Sequence, residues 1–499
     1  VKYFLGYDLG SSSVKAALLD AASGKPLASA FSPAAEMKIS SPKAGFAEQE
    51  PETWWKELIN ATNLLRKKYP FYKNEIGAIG IAYQMHGLVC IDKNNQPIRP
   101  AIIWCDSRGV PYGAGAFDQL GHNFCLEHYL NSPGNFTASK LKWVKENEPE
   151  NFSKIKRILL PGDFIAMKLT GEVNTTESGL SEGIFWDYRE NGIARSLLNY
   201  YGIDQSLLAP CVPSFGIQGK LNFSAAEELG IAEGTPVSYR AGDQPNNAFS
   251  LQVLNPGEMA ATAGTSGVLY GISDKPDFDP LSRVNPFIHV NHQNALPRYG
   301  ILMCLNGTGI LNSWLRREFF PDESFETMND GAAVIPIGAS GISCFPFGNG
   351  AERILENKNP GGHIKGLDFN RHNKYHLARA AQEGIVFALM YGAEIMQGMG
   401  LPLQSVRAGY ANMFLSPVFA QTFSDCSYCP VELFNTDGAV GAARGAGYGV
   451  RFYPNFKDCF HGMELVRRIE PEKKNLVQIR EIYEDWKEGL QKILQDTHM

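Results

Sequence analysis

Two stretches about half a chain apart share one plan: a strand, a turn of small residues, and a second strand. Tyr3 to Leu9 is apolar and β-prone, Gly10-Ser11-Ser12-Ser13 is a tight turn, and Val14 to Asp20 is a second strand. Residues 258–273 read Glu-Met-Ala-Ala-Thr-Ala-Gly-Thr-Ser-Gly-Val-Leu-Tyr-Gly-Ile-Ser, with Gly264-Thr265-Ser266-Gly267 at the turn. Two half-chains that open on the same hairpin predict two domains of similar topology. The expected boundary lies near residue 247, after Gly242-Asp243-Gln244-Pro245, giving domains 1–247 and 248–499.

Helices are expected between the strands, which makes the chain α/β. Pro51 to Tyr69 reads as a helix with Trp54, Leu58, Ala61 and Leu65 along one face. Thr137–Asn147 and Gly162–Leu169 are shorter helices, and Ile76 to Ala82 and Leu88 to Asp92 are strands. In the second half, His372 to Gly400 is a long helix with a small apolar stripe. A Gly/Ala-rich helix starts at Asp437, and Leu476 to Gln495 is a charged amphipathic helix.

Composition narrows the function. The formal net charge is −6, which argues against a general nucleic-acid binder. No apolar run is long enough to span a bilayer, so a membrane protein is not expected. The first residues lead straight into a strand without a signal-peptide pattern. The nine cysteines are scattered, and Cys426 and Cys429 are their only close pair, read as a chance spacing. A cytoplasmic enzyme without structural disulfides or zinc is therefore expected.

Tight turns hold phosphate through backbone N–H groups and small hydroxyls, and both hairpins supply these. Neither is a Walker loop, since no GxxxxGK[ST] occurs. Asp8, just before the first turn, could hold Mg²⁺ through water, and Lys15 adds a positive charge; on local sequence alone a turn-capping role for Asp8 is favoured. Asp243 follows a strand and a glycine, a place from which a carboxylate can take a proton from an acceptor hydroxyl; an Asx-turn is the plain alternative. Gln84-Met85-His86-Gly87 offers directional hydrogen bonds and an adaptable apolar wall suited to a small polyol, although a lone His beside a strand is more often structural. Trp104-Cys105-Asp106-Ser107-Arg108 offers a ring face and a carboxylate to a sugar, or simply a local Asp–Arg pair.

Taken together, the order of these segments resembles the FGGY carbohydrate kinases. Gly6-Tyr7-Asp8-Leu9-Gly10-Ser11-Ser12-Ser13-Val14-Lys15 is similar to that family's opening phosphate loop. Glu48-Gln49-Glu50-Pro51-Glu52-Thr53-Trp54-Trp55 and Gln84-Met85-His86-Gly87 resemble its xylulokinase branch. Trp104 to Arg108, Thr137 to Trp143, Leu160 to Phe164, Ala241 to Gln244, Gly264 to Gly267 and the helix from Asp437 follow in family order, from about residue 3 to about 450. The resemblance implies two actin/ribonuclease-H-like domains with an active-site cleft between them, the sugar mainly on the first and ATP on the second.

Residue by residue, the resemblance makes Asp243 the catalytic base and Asp8 the Mg²⁺-associated carboxylate. Gln84, Met85, His86, Trp104, Asp106 and Gln244 would meet the sugar. Gly10, Ser11, Ser12, Ser13 and Lys15 would form the first phosphate turn, and Gly264, Thr265 and Ser266 the second. The adenosine segment departs from the family's glycine triplet: it reads Arg407-Ala408-Gly409-Tyr410-Ala411-Asn412-Met413-Phe414-Leu415-Ser416-Pro417, which leaves Gly409 and Asn412 as the expected adenine contacts. The implied reaction is ATP-dependent phosphorylation of D-xylulose, with Mg²⁺ and no nucleic-acid or membrane partner; a homodimer is a family-level expectation. The alternatives are another ketose or polyol (L-ribulose, L-fuculose, glycerol), or a non-catalytic nucleotide-binding protein on the same fold. Glycerol is disfavoured because that branch carries charged residues at the positions of Met85 and His86.

Overall fold

The structure, a computed structural model, describes residues 1–496. It forms two compact units that do not follow a single cut in the chain. The first comprises Val1–Gln252, Phe287–Tyr299 and Thr436–Met463; the second comprises Val253–Pro286, Gly300–Asn435 and Glu464–Met499.

The first unit is built on a six-stranded sheet. Its strands are β1 (Tyr3–Leu9), β2 (Val14–Asp20), β3 (Pro26–Ser32), β4 (Ile76–Tyr83), β5 (Phe215–Lys220) and β6 (Pro236–Gly242). They lie in the order β5-β6-β4-β1-β2-β3. β1, β2 and β3 form an antiparallel meander, while β4 runs parallel to β1 and β6 parallel to β4. The near-continuous apolar runs of β1 and β4 follow from burial on both faces of the sheet.

One face is covered by the helix Pro51–Lys68, which starts at a proline and buries Trp54, Leu58, Ala61 and Leu65. The Gly/Ala helix Gly438–Gly449 approaches β1 and β4 backbone to backbone. A Cβ on Gly6 would lie 1.9 Å from the Ala439 carbonyl oxygen, and one on Gly80 would lie 2.0 Å from that of Ala442. This contact explains why the helix, which sequence order assigned to the second half, belongs to the first unit. Gly6→Ala is accordingly expected to cost about 2 kcal/mol, the scale of overpacking a tight core. An unchanged unfolding midpoint would contradict the close approach.

The second unit repeats the scheme. Six strands of its seven-stranded sheet, β7 (Glu258–Ala263), β8 (Gly267–Ser273), β9 (Tyr299–Leu305), β10 (Ser405–Gly409), β11 (Val431–Phe434) and β12 (Leu465–Ile469), lie in the order β9-β8-β7-β10-β11-β12. β7 and β8 are antiparallel, β10 is parallel to β7, β11 is parallel to β10, and β12 is antiparallel to β11. The hairpin echo in the sequence is thus the start of two sheets with matching strand orders. The helix Lys374–Gly398 runs through this unit's core with Ile385, Ala388 and Met396 buried, and Leu476–Asp496 packs Trp486 and Leu490 into the same core.

Among the described residues, no cysteine forms a disulfide. Cys429 donates its thiol hydrogen to the Leu403 carbonyl (3.2 Å). Among the described residues, no helix is long and apolar enough to cross a membrane.

Candidate active site

Three neighbouring parallel strands of the first unit end together. In register, Asp8 of β1 lies opposite Ala82 of β4, and Tyr83 of β4 lies opposite Gly242 of β6. The segments that follow these strand ends are Gly10–Ser13, Gln84–Gly87 and Asp243-Gln244. Open α/β sheets place ligands at the carboxyl ends of their parallel strands, and the candidate acceptor residues gather there.

Asp243 is the first residue of the helix Asp243–Ser250. Helix-start N–H groups favour its carboxylate, but desolvation outweighs them and the Asp8 charge adds to it, pushing the pKa up to about 7. Asn246 ties this helix to the Gly/Ala helix by donating to the Gly438 carbonyl (2.9 Å). Among the described residues, the Gln244 side-chain oxygen is buried without a hydrogen-bond partner, as is that of Gln84.

The Gln84–Gly87 turn packs directly against Gly242. A Cβ there would lie 2.6 Å from Met85 Cγ and 2.5 Å from Glu182 Oε2, so only glycine fits. His86 adopts φ +60°, a left-handed conformation that costs a non-glycine residue about 1 kcal/mol. Its ring packs in a three-ring cluster with Phe136 and Phe287, with centroids 4.9 and 5.4 Å away. Nδ1 is 2.9 Å from the Glu182 carbonyl, which can only accept, so the proton sits on Nδ1.

The first turn closes through Gly10 N–H donating to the Ser13 carbonyl (3.0 Å). Trp104 is 42% exposed, and its indole N–H reaches Ser11 Oγ at 3.4 Å, which brings the ring beside that turn. Gln49 donates to the Ser11 carbonyl (2.7 Å) and accepts from Gln84 (3.4 Å), linking two of the three segments.

Asp8 faces the start of the Gly/Ala helix: a Cβ on Gly438 would lie 2.2 Å from its Oδ2. Burial, and next the Asp437 charge, push its pKa up to about 6, against the opposing pull of Lys15. Lys15 pairs with Asp437 at 2.5 Å. Asp437 also caps the Gly/Ala helix by accepting from Val440 N–H (3.0 Å). Mg²⁺ keeps several waters and takes one or two carboxylates rather than a protein cage. Asp8 with Asp437 fits that donor set, and among the described residues no cluster of three His, Cys, Asp or Glu side chains is arranged to hold a metal.

Asp106 departs from the sequence expectation of a sugar contact. It is fully buried and accepts from Ala47 N–H (2.6 Å), Arg108 N–H (2.9 Å) and the Arg108 guanidinium (2.7 Å). Arg108 also pairs with Glu48 (2.8 Å) and lies over the Phe46 ring. With both oxygens engaged, the carboxylate has no capacity directed at a ligand. The plain reading of Trp104 to Arg108, a local Asp–Arg pair, describes this residue.

Three further residues shape the site without having been assigned a role from sequence. Asp437 was visible only as a helix start. Lys140, buried and with its pKa lowered to about 7 by desolvation, donates to the His86 and Ile103 carbonyls (2.9 and 3.0 Å). Glu182 meets His86 across 96 residues of sequence. Such long-range pairings leave no local pattern to read.

In the second unit, β7 and β10 are parallel with Ala261 opposite Ala408, so the Gly264–Gly267 turn and Gly409 emerge side by side. Gly264 accepts from Gly309 N–H (2.8 Å), and Ser266 Oγ donates to Asn306 (3.3 Å). Exposed Asn412, at φ +54°, brings its side-chain nitrogen within 3.6 Å of where a Gly264 Cβ would stand. The second phosphate-turn candidates and the two adenine candidates therefore share one strand-end region.

The chain belongs to the FGGY family of carbohydrate kinases: the family's N-terminal domain matches residues 3–250 and its C-terminal domain residues 259–450. Among similar proteins, the xylulose kinase of Bacillus subtilis (strain 168) is 29% identical, over 98% of this chain and 96% of that one. A crystal structure of a xyloylose kinase from Brucella ovis superposes with a TM-score of 0.87 at 26% identity, covering 99% of both chains. A gluconate kinase from Lactobacillus acidophilus gives a TM-score of 0.89 at 20% identity, over 99% of this chain and 98% of that one. Since relatives with different named substrates share the fold equally well, the fold alone does not select the sugar.

Proposed function

We propose that this carbohydrate kinase transfers the γ-phosphoryl group of ATP to the 5-hydroxyl of D-xylulose. The observation that carries the reading is the meeting of Met85 and His86 with Gly242-Asp243 at neighbouring strand ends. The resemblance of Gln84-Met85-His86-Gly87 to the xylulokinase branch and the xylulose kinase relatives support the choice of sugar.

Asp243 orients the acceptor hydroxyl and takes its proton as the bond to phosphorus forms. Gln84 and Gln244 keep side-chain oxygens for sugar hydroxyls, Met85 supplies an apolar wall, and His86 presents Nε2. Trp104 covers the sugar beside the Ser11–Ser13 turn. Lys15, held by Asp437, contributes positive charge near the transferring group. Asp8 and Asp437 are the residues that would hold Mg²⁺, which supplies charge neutralisation on the phosphates when bound. Gly264, Thr265 and Ser266 take nucleotide phosphates, and Gly409 and Asn412 take the adenosine.

A base must be ionised to act. With the Asp243 pKa pushed up to about 7, kcat/KM for the sugar should fall by about tenfold per pH unit below that value and level off above it. A profile flat from pH 5 to 8 would contradict the role of Asp243. The reaction itself is tested by identifying the product formed from D-xylulose and Mg²⁺–ATP. The expected product is a phosphomonoester on C5; a phosphate on another carbon would overturn the acceptor geometry.

A further inference from the structure

Glu182 closes the helix Glu177–Glu182 and is completely buried. Its Oε1 accepts the His86 backbone N–H (3.3 Å), and its carbonyl lies 2.9 Å from His86 Nδ1. One residue thus grips both the main chain and the ring of the strained histidine. Among the described residues its second oxygen, Oε2, has no hydrogen-bond partner, and it faces Gly242, immediately before Asp243. Among the described residues Glu182 forms no ion pair. The groups facing it are the carboxyls of Asp163 and Asp243, the Tyr83 phenol and His86. Arg240 is paired with Asp163 (3.0 Å), and Lys140 donates to the His86 and Ile103 carbonyls.

An ionised carboxylate without a counter-charge in such a place is strongly disfavoured. We propose that Glu182 is a positioning residue of the acceptor site that works as a neutral carboxylic acid, holding His86 in its left-handed conformation and bracing Gly242-Asp243 against Met85. Burial raises its proton affinity well above that of an ordinary glutamate; the His86 N–H opposes this, and the Asp243 and Asp163 charges add to it. The two neighbouring acids then divide the work: Glu182 keeps its proton, which leaves Asp243 free to be the one that ionises. The inference rests on the reading that Gln84–His86 and Asp243 take the sugar.

The test uses the full chain with Glu182→Gln and Glu182→Ala. Glutamine keeps the shape and neutrality of the acid. E182Q is expected to keep kcat and the KM for D-xylulose within about threefold of the parent and to leave the acid limb of the pH profile in place. E182A is expected to raise the sugar KM by about tenfold or more with the KM for ATP unchanged. Loss in E182Q as large as in E182A, or an unchanged sugar KM in E182A, overturns the proposal.

A second readout needs no activity. A carboxyl held neutral in the fold but ionised in the unfolded chain weakens the fold as pH rises above the unfolded value, about 4.3. The parent's Tm should therefore fall relative to that of E182Q between pH 5 and 8. A Tm difference independent of pH overturns the neutral acid, even if no sugar proves to be a substrate and the acceptor reading itself fails.

Discussion

Asp243→Ala is expected to lower kcat by about 10³-fold, within the range removed with a general base, in a protein that still folds and binds sugar. The binding expectation follows from the position of the residue. Asp243 stands at the first position of its helix, and the helix is fastened further along, through Asn246 to Gly438 and through Ser250 packed on Gly441. Truncating the carboxyl therefore leaves the Gln84–Gly87 turn and its support on Glu182 in place. Asp243→Asn separates shape from proton acceptance: the amide fills the same space and cannot take a proton at neutral pH, so its turnover should fall about as far. Turnover within tenfold of the parent in either variant would move the base elsewhere, and circular dichroism with a sugar-binding isotherm would show whether folding or binding caused any loss.

Asp106→Ala is expected to act on stability instead, by about 3–5 kcal/mol, the cost of leaving one member of a buried ion pair uncompensated. Arg108 is only 1% exposed, and it would keep a single carboxylate partner, Glu48, which is shared with Arg99. The Ala47 N–H would also lose its acceptor. A variant that unfolds several degrees lower, with the sugar KM preserved in the folded fraction, matches this account. A variant of parental stability with a sharply raised sugar KM would restore Asp106 to the sugar site.

The sequence was most legible where periodicity or register is local. The two hairpins, the helix from Pro51 and the helix Thr137–Asn147 all form as expected, because apolar spacing and turn residues decide them within one or two turns of chain. The convergence of Asp8, Gln84 and Asp243 was legible only in part: the place of each at or just past a strand end is local, but the parallel pairing that brings those ends together is not. What was not legible depends on contacts across the chain. The assignment of the Gly/Ala helix to the first unit rests on Gly6 and Gly80, more than 350 residues earlier in the sequence, which admit its backbone. Asp106 looked like a ligand because its type and its neighbours Trp104 and Arg108 suit a sugar; only its burial and the convergence of Ala47 and Arg108 on both oxygens show it occupied. Glu182 carries no motif, and Lys140, inside the Thr137 to Trp143 segment, had no role assigned; both act by reaching His86 from distant helices.

The measurement that bears most directly on the account is coupled ADP release with Mg²⁺–ATP across D-xylulose, L-ribulose, L-fuculose, D-ribulose, glycerol and no sugar. The account predicts strong release with D-xylulose and little with the others or with no sugar. Release that favours a different acceptor would contradict the sugar reading of Met85 and His86, and release equal with and without sugar would contradict the kinase reading of Asp243.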